Sequence, residues 1–484
     1  MNRALAAAIP ALLLSLPSCG GSEPGTGPDS GVVTVTVSPE SFSALAGETR
    51  QLTARDQAGR ALTGSGITWV TSASTVAVVS GSGVVTGVAD GSATITATAQ
   101  GKSGAATVTV ASLAFGSVAA GGAHTCALAT NGAAYCWGRS EGGQVGITSP
   151  ASICPIGTQA YPCSLIPVAV QGGLVFTALD AGGEHVCALT SAGAAHCWGR
   201  NHAGQLGDNT TTHRFAPVAV TGGLTFASLS LGTLHTCGLT AQGAAYCWGS
   251  NSRGQLGDGS TTDRATPVAV TGGFAFEQIT AGGFDLGYTC GLTTAGQAYC
   301  WGHNGGGQLG IGTQDQAAHS APAPVSGVVV FASLSAGLGS HTCGLTSAGS
   351  AFCWGANAFG ALGDGTTGSK FTPVAVTGGI VFAQIIAGGF IGHTCGVTGS
   401  GKAYCWGENE VGAIGDGTLL DPLAPSAVAG GHSFSGLDAG FRHTCGRTTA
   451  GILYCWGSNG AGQLGVNSVA IHIAPARVVG QPAP

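Results

Sequence analysis

The sequence is poor in charge: Asp, Glu, Lys and Arg make up 7% of its 484 residues, and Lys plus Arg number 15. It has no basic run that could neutralise phosphates, which argues against nucleic acid as a partner. It also lacks a nucleophile elbow, an HExxH motif and the D-x-D-x-D-G spacing of a calcium loop. These absences argue against the enzyme and metal-binding classes that such motifs define, and the sequence predicts no cofactor and no metal.

Glycine and apolar residues are abundant instead. The chain has 87 glycines, and 44% of its residues are hydrophobic. That apolar fraction is sufficient for folded cores, so the glycines indicate turns rather than disorder. With so few charges, the surface must consist mainly of Ser, Thr, Asn, Gln and Gly, which is common in extracellular β-proteins.

The N-terminus predicts export. Arg3 supplies a positive charge, and residues 4–16 form an apolar run too short to span a bilayer. Residues 16–19, Leu-Pro-Ser-Cys, end at Cys19 and resemble the lipobox of bacterial lipoproteins. The resemblance implies a signal peptide over residues 1–18, lipidation of Cys19, and an outer-membrane or cell-surface location. Residues 19–31 would then be a flexible tether. The alternative is an ordinary secretory signal with a chance cysteine.

Residues 32–111 show short alternating segments, such as V-V-T-V-T-V and A-T-I-T-A-T-A, separated by Gly, Asp or Ser turns. This pattern is typical of a β-sandwich. The segment resembles the bacterial immunoglobulin-like group 2 domain, with matching positions at Gly47, Trp69, Gly87 and Gly91. In that family such domains usually act as spacers or adhesion stalks, so a non-catalytic spacer is expected here.

Residues 112–484 repeat one phrase seven times, approximately F-x-x-L-x-A-G-G-x-H-T-C-x-L-T-x-x-G-x-x-Y-C-W-G-x-N-x-x-G-Q-L-G-D-G, followed by P-V-A-V. Four apolar runs per unit, separated by glycine-rich turns, predict four strands and hence a propeller blade. The phrase resembles the regulator-of-chromosome-condensation repeat, whose family fold is a seven-bladed β-propeller. We therefore expect an all-β chain, with a sandwich followed by a seven-bladed propeller. We also expect Ala474 to Val479 to complete the blade that begins after Leu113.

The chain has 17 cysteines, and all except Cys19 occur in pairs. An even number in an exported protein predicts a disulfide framework. In each repeat a three-residue loop ending in glycine places the two cysteines opposite each other on a hairpin, which predicts one intra-hairpin disulfide per blade. Reduced buried thiols and zinc ligation are the alternatives. The predicted pairs are Cys126 with Cys136, Cys187 with Cys197, Cys237 with Cys247, Cys290 with Cys300, Cys343 with Cys353, Cys395 with Cys405, Cys445 with Cys455 and, within an insertion, Cys154 with Cys163.

Six units carry a histidine before the first cysteine, and the fourth carries Tyr288. A catalytic histidine would be expected once rather than in every unit, so these residues are predicted to be structural. The acidic residues that follow the G-x-x-G turn are predicted to cap turns rather than to bind calcium. These residues are Asp208, Asp258, Asp364 and Asp416.

Function is expected where the repeats differ. Unit one carries an insertion, Ile147 to Ile166, and the turn before the H-T-C strand is longer in units four to six. These loops are predicted to form an arc on one face, either as a protein-binding patch or as packing over the central channel. The candidate binding residues are Phe284, Asp285, Leu286, Leu338, Phe390, Ile391, Phe441 and Arg442.

The sequence therefore predicts a non-catalytic, lipid-anchored cell-envelope scaffold whose propeller binds an unidentified protein or surface ligand. It would contact the membrane through the lipid anchor alone. A secreted enzyme inhibitor of the propeller class is the first alternative, and it depends on fold analogy. A polysaccharide-active enzyme is the second.

Overall fold

The computed structural model describes residues 32–150, 152–156, 159–284 and 286–482. Over this part the chain is all-β, as expected: it contains 38 strands and one short 3-10 helix, Gly64–Gly66. None of the described residues forms a helix long and apolar enough to span a membrane. The predicted signal peptide, Cys19 and the tether lie outside the described residues, as does Asp285.

The N-terminal region contains nine strands in three sheets, ordered β1-β4, β2-β9-β8-β5 and β3-β7-β6. Alternate residues of β8 and β9 point into one shared core that includes Ile95 and Val108, both 0% exposed. The strands are β1 (Thr36–Ser38), β2 (Ser41–Leu45), β3 (Thr49–Gln51), β4 (Thr53–Arg55), β5 (Thr68–Thr71), β6 (Ala77–Val79), β7 (Val84–Gly87), β8 (Gly91–Ala99) and β9 (Lys102–Ala111).

Seven antiparallel sheets follow, each made of consecutive strands. Sheet one contains β10 (Phe115–Ala120), β11 (His124–Ala129), β12 (Ala134–Arg139), β13 (Ser152–Ile156) and β14 (Gln159–Ala169). Sheet two contains β15 (Ala178–Ala181), β16 (His185–Leu189), β17 (Ala195–Gly199) and β18 (Arg214–Ala219). Sheet three contains β19 (Ser228–Leu231), β20 (His235–Leu239), β21 (Ala245–Gly249) and β22 (Arg264–Ala269). Sheet four contains β23 (Phe276–Gly282), β24 (Tyr288–Thr293), β25 (Ala298–Gly302) and β26 (His319–Pro324).

The remaining sheets repeat this order. Sheet five contains β27 (Ser333–Ala336), β28 (His341–Leu345), β29 (Ala351–Gly355) and β30 (Lys370–Ala375). Sheet six contains β31 (Phe382–Gly388), β32 (His393–Thr398), β33 (Ala403–Gly407) and β34 (Ser426–Ala427). Sheet seven contains β35 (Phe434–Ala439), β36 (His443–Thr448), β37 (Leu453–Gly457) and β38 (His472–Arg477). The first strands of successive sheets contact one another in turn, and that of sheet seven contacts that of sheet one. We call these seven first strands the inner strands.

One prediction about the chain ends is wrong. The last strand, β38, does not complete the sheet that begins after Leu113; it pairs with β37 in sheet seven. Sheet one obtains all its strands from residues 115–169, and sheet seven has its own inner strand, so neither needs a strand from the other end of the chain. The two sheets meet through side-by-side contacts instead.

The repeated hairpins have the register that the loop length predicts. In sheet two the Gly193 amide donates to the Thr190 carbonyl, and Gly193 adopts φ +75°, which favours glycine. Cys187 and Cys197 therefore lie directly opposite each other, with their Cα atoms 4.1 Å apart, and form a disulfide.

The other six repeat hairpins carry the same bond at the same Cα separation of 4.1 Å. Within the insertion, Cys154 bonds to Cys163. The structure therefore contains the predicted pairs as disulfides, rather than as the reduced thiols or zinc ligands that were the alternatives. The six further repeat pairs are Cys126 with Cys136, Cys237 with Cys247, Cys290 with Cys300, Cys343 with Cys353, Cys395 with Cys405, and Cys445 with Cys455.

Neighbouring sheets are joined through one backbone carbonyl in the G-Q-L-G turn. The Gln255 carbonyl of sheet three accepts hydrogen bonds from Trp301 Nε1 (3.0 Å) and Thr289 Oγ1 (2.8 Å) of sheet four. Every repeat tryptophan is fully buried, and six of the seven donate to the preceding sheet in this way. Tryptophan and threonine recur in the motif because their side chains join their own sheet to the preceding one.

The repeated histidines form a second set of contacts between sheets. His185 Nε2 lies 2.7 Å from Thr236 Oγ1 of the next sheet. Since Thr236 donates its single hydroxyl proton to the Gln205 carbonyl, His185 must donate through Nε2–H. The predicted structural role of the histidines fits these contacts. Equivalent pairs are His235 with Thr289, His341 with Thr394, His393 with Thr444, and His443 with Thr125.

The N-terminal region rests on the contact between sheets one and seven. Gly480 donates to the Ala46 carbonyl and accepts from the Leu113 amide, and Leu45 packs beside Leu113 and Val478. Gln481 is 3% exposed and bonds to both backbone groups of Leu453. The C-terminal segment thus links the last sheet to the N-terminal region.

Candidate functional site

The inner strands surround a cavity of about 440 Å³. Its wall includes polar side chains at one repeated position, two residues before the glycine that ends each inner strand or follows it. The residues at this position are Ala119, Asp180, Ser230, Thr280, Ser335, Ile386 and Asp438. We call this space the central cavity.

Hydroxyl groups at the repeated position connect adjacent inner strands. Ser230 Oγ accepts the Ala281 amide of the next strand at 2.9 Å, and Thr280 Oγ1 accepts the Ala336 amide at 2.9 Å. Ser335 Oγ accepts from Ala387 in the same way. Inner strands do not form a ladder with each other, so these side chains satisfy amides that would otherwise face the cavity.

The two aspartates occur where the preceding sheet offers no such acceptor. Asp180 follows Ala119 in the ring, and Asp438 follows Ile386. Asp180 accepts the amide of Leu231 in the next sheet through Oδ2 and its neighbour's amide, Ala181, through Oδ1, both at 2.8 Å. Because a carboxylate has two oxygens, Asp180 accepts the amide that Ala119 of the preceding sheet cannot bind and also accepts an amide of the next sheet.

Asp438 makes the corresponding contacts, with Oδ2 accepting the Ala120 amide at 2.8 Å across the contact of sheets seven and one. Burial raises the pKa of Asp180 to about 7, and the nearby charge of Asp438 adds to this effect. Burial also raises the pKa of Asp438 to about 6. Both side chains are therefore structural acceptors that can take up a proton near neutral pH.

One end of the central cavity is covered by three phenylalanines. Phe284 lies 4.2 Å from Phe390 and 5.3 Å from Phe441, measured between ring centroids. Each ring follows the end of an inner strand, in sheets four, six and seven respectively. Rings from sheets four and seven can meet only across the centre of the ring of sheets. We call Phe284, Phe390 and Phe441 the phenylalanine cluster.

The loops of sheets four, six and seven converge, so these three residues of the predicted arc pack together over the central cavity, which was the alternative to an exposed patch. Leu338 is 5% exposed and lines the central cavity, so its assignment to an exposed patch is wrong. Leu286 and Ile391 are half-buried, whereas Phe390 is 42% exposed. The cluster therefore packs over the cavity and also offers an apolar surface to solvent.

Arg442 lies beside the cluster in an ion-paired group. Its guanidinium contacts the carboxylates of Glu408, which is fully buried, and Glu410. A charge that is held by two carboxylates is a poor anchor for an anionic ligand. Arg442 therefore fixes the rim of the cluster by joining sheets six and seven.

The acidic turn residues cap their turns. Asp208 Oδ1 accepts from the Thr210 amide and hydroxyl, and its other oxygen pairs with Arg214 at 2.6 Å. Asp258 and Asp364 pair with Arg264 and Lys370 in the same way. Among the described residues, no group of three or more His, Cys, Asp or Glu side chains has a metal-binding arrangement.

The insertion of unit one is a β-hairpin that extends sheet one. β13 pairs with β14 outside the fourth strand position, and the Cys154–Cys163 disulfide crosses the hairpin with a Cα separation of 5.8 Å. Arg139 lies over the Tyr161 ring at 4.4 Å. Ile153 is 64% exposed on the outer strand.

The sequence interpretation did not single out Asp180 and Asp438. Their signal was the residue two positions before the glycine that ends or follows each inner strand, which is Asp in two units and Ala, Ser, Thr or Ile in the others. A comparison of units at that one position would have revealed both.

Comparisons with known proteins agree with this architecture. The regulator of chromosome condensation (RCC1) repeat matches residues 117–144, 176–205, 226–255, 331–361, 384–413 and 434–463 in one form, and residues 192–239, 242–284, 295–345 and 348–395 in another. The bacterial Ig-like domain (group 2) matches residues 31–110. The fold is thus an RCC1-like β-propeller that follows an Ig-like domain along the chain. With the repeat matches together spanning more than half of its length, the chain belongs to the RCC1 repeat family.

Similar proteins share parts of this chain. The RCC1 domain-containing protein RUG3, mitochondrial, of Arabidopsis thaliana is 32% identical over 149 residues, which cover 29% of this chain and 33% of that protein. Human WBSCR16 superposes with a TM-score of 0.62 at 20% identity, covering 72% of this chain and 94% of that structure. Yeast RCC1 (Prp20), solved with Kap60 bound, has a TM-score of 0.58 at 22% identity, covering 67% and 78%. The chain spans about a third of the length of the curated plant relative.

Proposed function

We propose that this protein is an exported, lipid-anchored scaffold of the cell envelope that binds a protein partner at the phenylalanine cluster. Cys19 would carry the lipid, residues 19–31 would act as tether, and the Ig-like region would hold the propeller away from the membrane. In this proposal the seven sheets are the blades of one closed propeller, and the N-terminal sheets form an Ig-like sandwich.

The phenylalanine cluster is the observation that carries the proposal. Large aromatic side chains are over-represented at the centres of protein interfaces, and Phe390 keeps 42% of its surface exposed. The neighbouring rings of Phe284 and Phe441 hold it in place. A partner would therefore meet a rigid apolar contact whose side chain loses little conformational freedom on binding.

A propeller of this family has been solved in a protein complex: yeast RCC1 with Kap60. This supports protein binding as the general role of the fold. The partner of the present chain would be a different one, met beyond the cytoplasm, because the N-terminal signal resembles an export signal.

The test is cross-linked capture from intact cells with Phe390→Ser and a matched control, Val328→Ser. Val328 is 98% exposed and precedes an inner strand, so it lies at the opposite end of the sheets. Phe390→Ser should lose the partner, whereas Val328→Ser should retain it at unchanged thermal stability. Equal capture by both variants would reject the proposal. Suppression of one enzyme in a stoichiometric complex would identify an inhibitor instead.

The lipid anchor is tested separately. Replacing Cys19 with Ser should abolish incorporation of a fatty-acid analogue and release the protein from the membrane fraction. Incorporation that persists in Cys19→Ser, or absence of incorporation in the wild type, would favour an ordinary secretory signal.

A further inference from the structure

The seven contacts between neighbouring sheets are not equal. Most of them use four recurring links: the His–Thr bond, the Thr–carbonyl bond, a capped inner-strand amide, and a backbone bond from the G-D-G turn to the next outer strand. The last of these runs, for example, from the Gly259 amide to the Ser320 carbonyl and from the Gly417 amide to the Ile473 carbonyl.

Two links are missing between sheets one and two because of one residue. At the position after the repeat histidine (Tyr288 in sheet four), the other sheets have Thr, whereas sheet two has Val186, which is fully buried. Val186 cannot donate to the Gln144 carbonyl or accept from His124. Nε2 of His124 is consequently buried without a well-formed hydrogen bond in the described part of the chain, whereas its Nδ1 is unpaired as in His185 and other repeat histidines; the backbone of His185 is the polar group beside the ring.

The turn-to-strand bond is missing at the same contact. In six sheets its donor is Gly or Asn with φ between +58° (Asn467) and +91° (Gly312), a conformation that suits these residues. The equivalent position in sheet one is Thr148, at the start of the insertion, and it does not adopt a positive φ. Among the described residues, no backbone bond joins this turn to β18.

The capped inner-strand amide is missing as well, because the Ala119 side chain has no acceptor for an amide of the next sheet. The amide it would cap, Ala181, bonds to Asp180 within its own sheet instead. Ile386 is the other apolar residue at this position, but the Gln384 amide group compensates there with two bonds to Leu437. Ala119 has no such neighbour: the position equivalent to Gln384 is Ser117.

Little directional bonding therefore joins sheets one and two. Trp198 Nε1 donates to the Gln144 carbonyl at 3.1 Å, the Gly122 amide donates to Gly182 at 3.2 Å, and Arg200 pairs with the partly exposed Glu141. The Phe176 amide also donates to the Gly132 carbonyl at 2.8 Å, a bond that recurs between sheets two and three from Phe226 to Gly193. An exposed ion pair contributes little. The rest of the contact is apolar packing around Phe176 and Val186, which is non-directional and tolerates sliding.

We propose that the ring of sheets opens at the contact between sheets one and two, and that this contact is a built-in hinge. Every disulfide lies within one sheet, so no covalent cross-link opposes opening. The phenylalanine cluster joins sheets four, six and seven on the other side of the ring. Opening at the hinge would therefore change the width of the central cavity and leave the cluster assembled.

Amide hydrogen exchange can observe each contact through its own amide. Gly122 reports on the contact of sheets one and two, Gly183 on sheets two and three (3.3 Å to Gly232 O), and Phe441 on sheets seven and one (3.2 Å to Gly121 O). These bonds have nearly the same length, so differences in exchange report on opening. In the wild type Gly122 should exchange fastest of the three.

Val186→Thr should supply the missing hydroxyl and slow exchange at Gly122 about fivefold, the equivalent of about 1 kcal/mol for one hydrogen bond, while Gly183 stays unchanged. The matched variant Thr236→Val copies the defect into the next contact and should speed exchange at Gly183 but not at Gly122. If Val186→Thr disturbs folding, Thr148→Gly provides an independent repair with the same expected effect on Gly122. Faster exchange at Phe441 than at Gly122, or no change at Gly122 in a folded repair variant, would overturn the proposal.

Discussion

The contact between sheets seven and one joins residues far apart in the chain, whereas sheets one and two are directly connected, yet the first is the better bonded. Thr125 bonds to His443 and to the Gln463 carbonyl, both at 2.8 Å, and Asp438 caps Ala120. Arg447 adds a bond to the Phe115 carbonyl. The contact of sheets one and two has Val186 and Ala119 at the corresponding positions.

The comparison shows that the weakly bonded contact lies at a place where the chain connectivity can tolerate weakness. Sheets one and two are tethered by the linker between β14 and β15, so their separation is limited even when the contact opens. Sheets seven and one have no such linker, and separation there would release both chain ends. The polar links, the C-terminal segment and the N-terminal region are all found at this contact.

Acid should have the largest effect on both contacts, because the repeat histidines are buried in their neutral form. Burial lowers the pKa of His124, His235 and His341 to about 4, and of His185, His393 and His443 to about 3. The unfolded chain takes up protons near pH 6.5 while the folded histidines stay neutral, so they leave the free energy of unfolding unchanged above that pH and lower it as the pH falls. The two cavity aspartates act in the opposite sense, because their folded pKa is raised, but six groups outweigh two.

The free energy of unfolding should therefore fall by roughly 5 kcal/mol between about pH 7.5 and about pH 5.5. Denaturant titration followed by the fluorescence of the seven buried tryptophans measures this change. His124→Leu and His443→Leu should reduce the acid effect equally. Only His443→Leu should lower stability at neutral pH, because it alone leaves Thr125 without its histidine partner. Stability that is flat or rises on acidification would contradict the buried neutral state.

Thr125→Val should have the next largest effect, since it gives the contact of sheets seven and one two of the four missing links of the hinge. It removes the bonds to His443 and the Gln463 carbonyl and leaves a buried histidine unpaired, at a cost of about 2 to 3 kcal/mol. The amide of Phe441 should then exchange faster than in the wild type, toward the rate at Gly122. Thr211→Val, on an exposed turn, serves as control and should change stability little. A loss no larger than that of the control would show that the hydroxyl is not needed.

The sequence predicts local features of this molecule better than features of the ring. The hairpin register and the cysteine pairing follow from a three-residue loop ending at residues such as Gly193, which is a property of the local chain. The convergence of Phe284 and Phe390 depends on the distance across the ring of sheets, and no local pattern encodes it. The position of the last strand was wrong for the same reason. Val186 was visible as H-V-C among copies of H-T-C, but its meaning depended on knowing that His124 faces the next sheet.

Ala119→Ser should have the smallest effect, although it places at the hinge the acceptor that Ser230 provides in sheet three. The amide it would cap, Ala181, already bonds to Asp180 Oδ1, so the serine would replace an existing bond rather than satisfy a free amide. The expected gain in unfolding free energy is under about 0.5 kcal/mol, against about 1 kcal/mol for Val186→Thr, which pairs a group that has no partner. Urea denaturation of the two variants side by side at neutral pH measures the difference. Asp438→Ala leaves the Ala120 and Ala439 amides without their acceptor. Its loss of unfolding free energy therefore measures the contribution of an acceptor that no other group replaces. If Ala119→Ser stabilises as much as Val186→Thr, then Asp180 does not compensate for the alanine, and the hinge owes its weakness to the inner strands more than to the orphaned histidine.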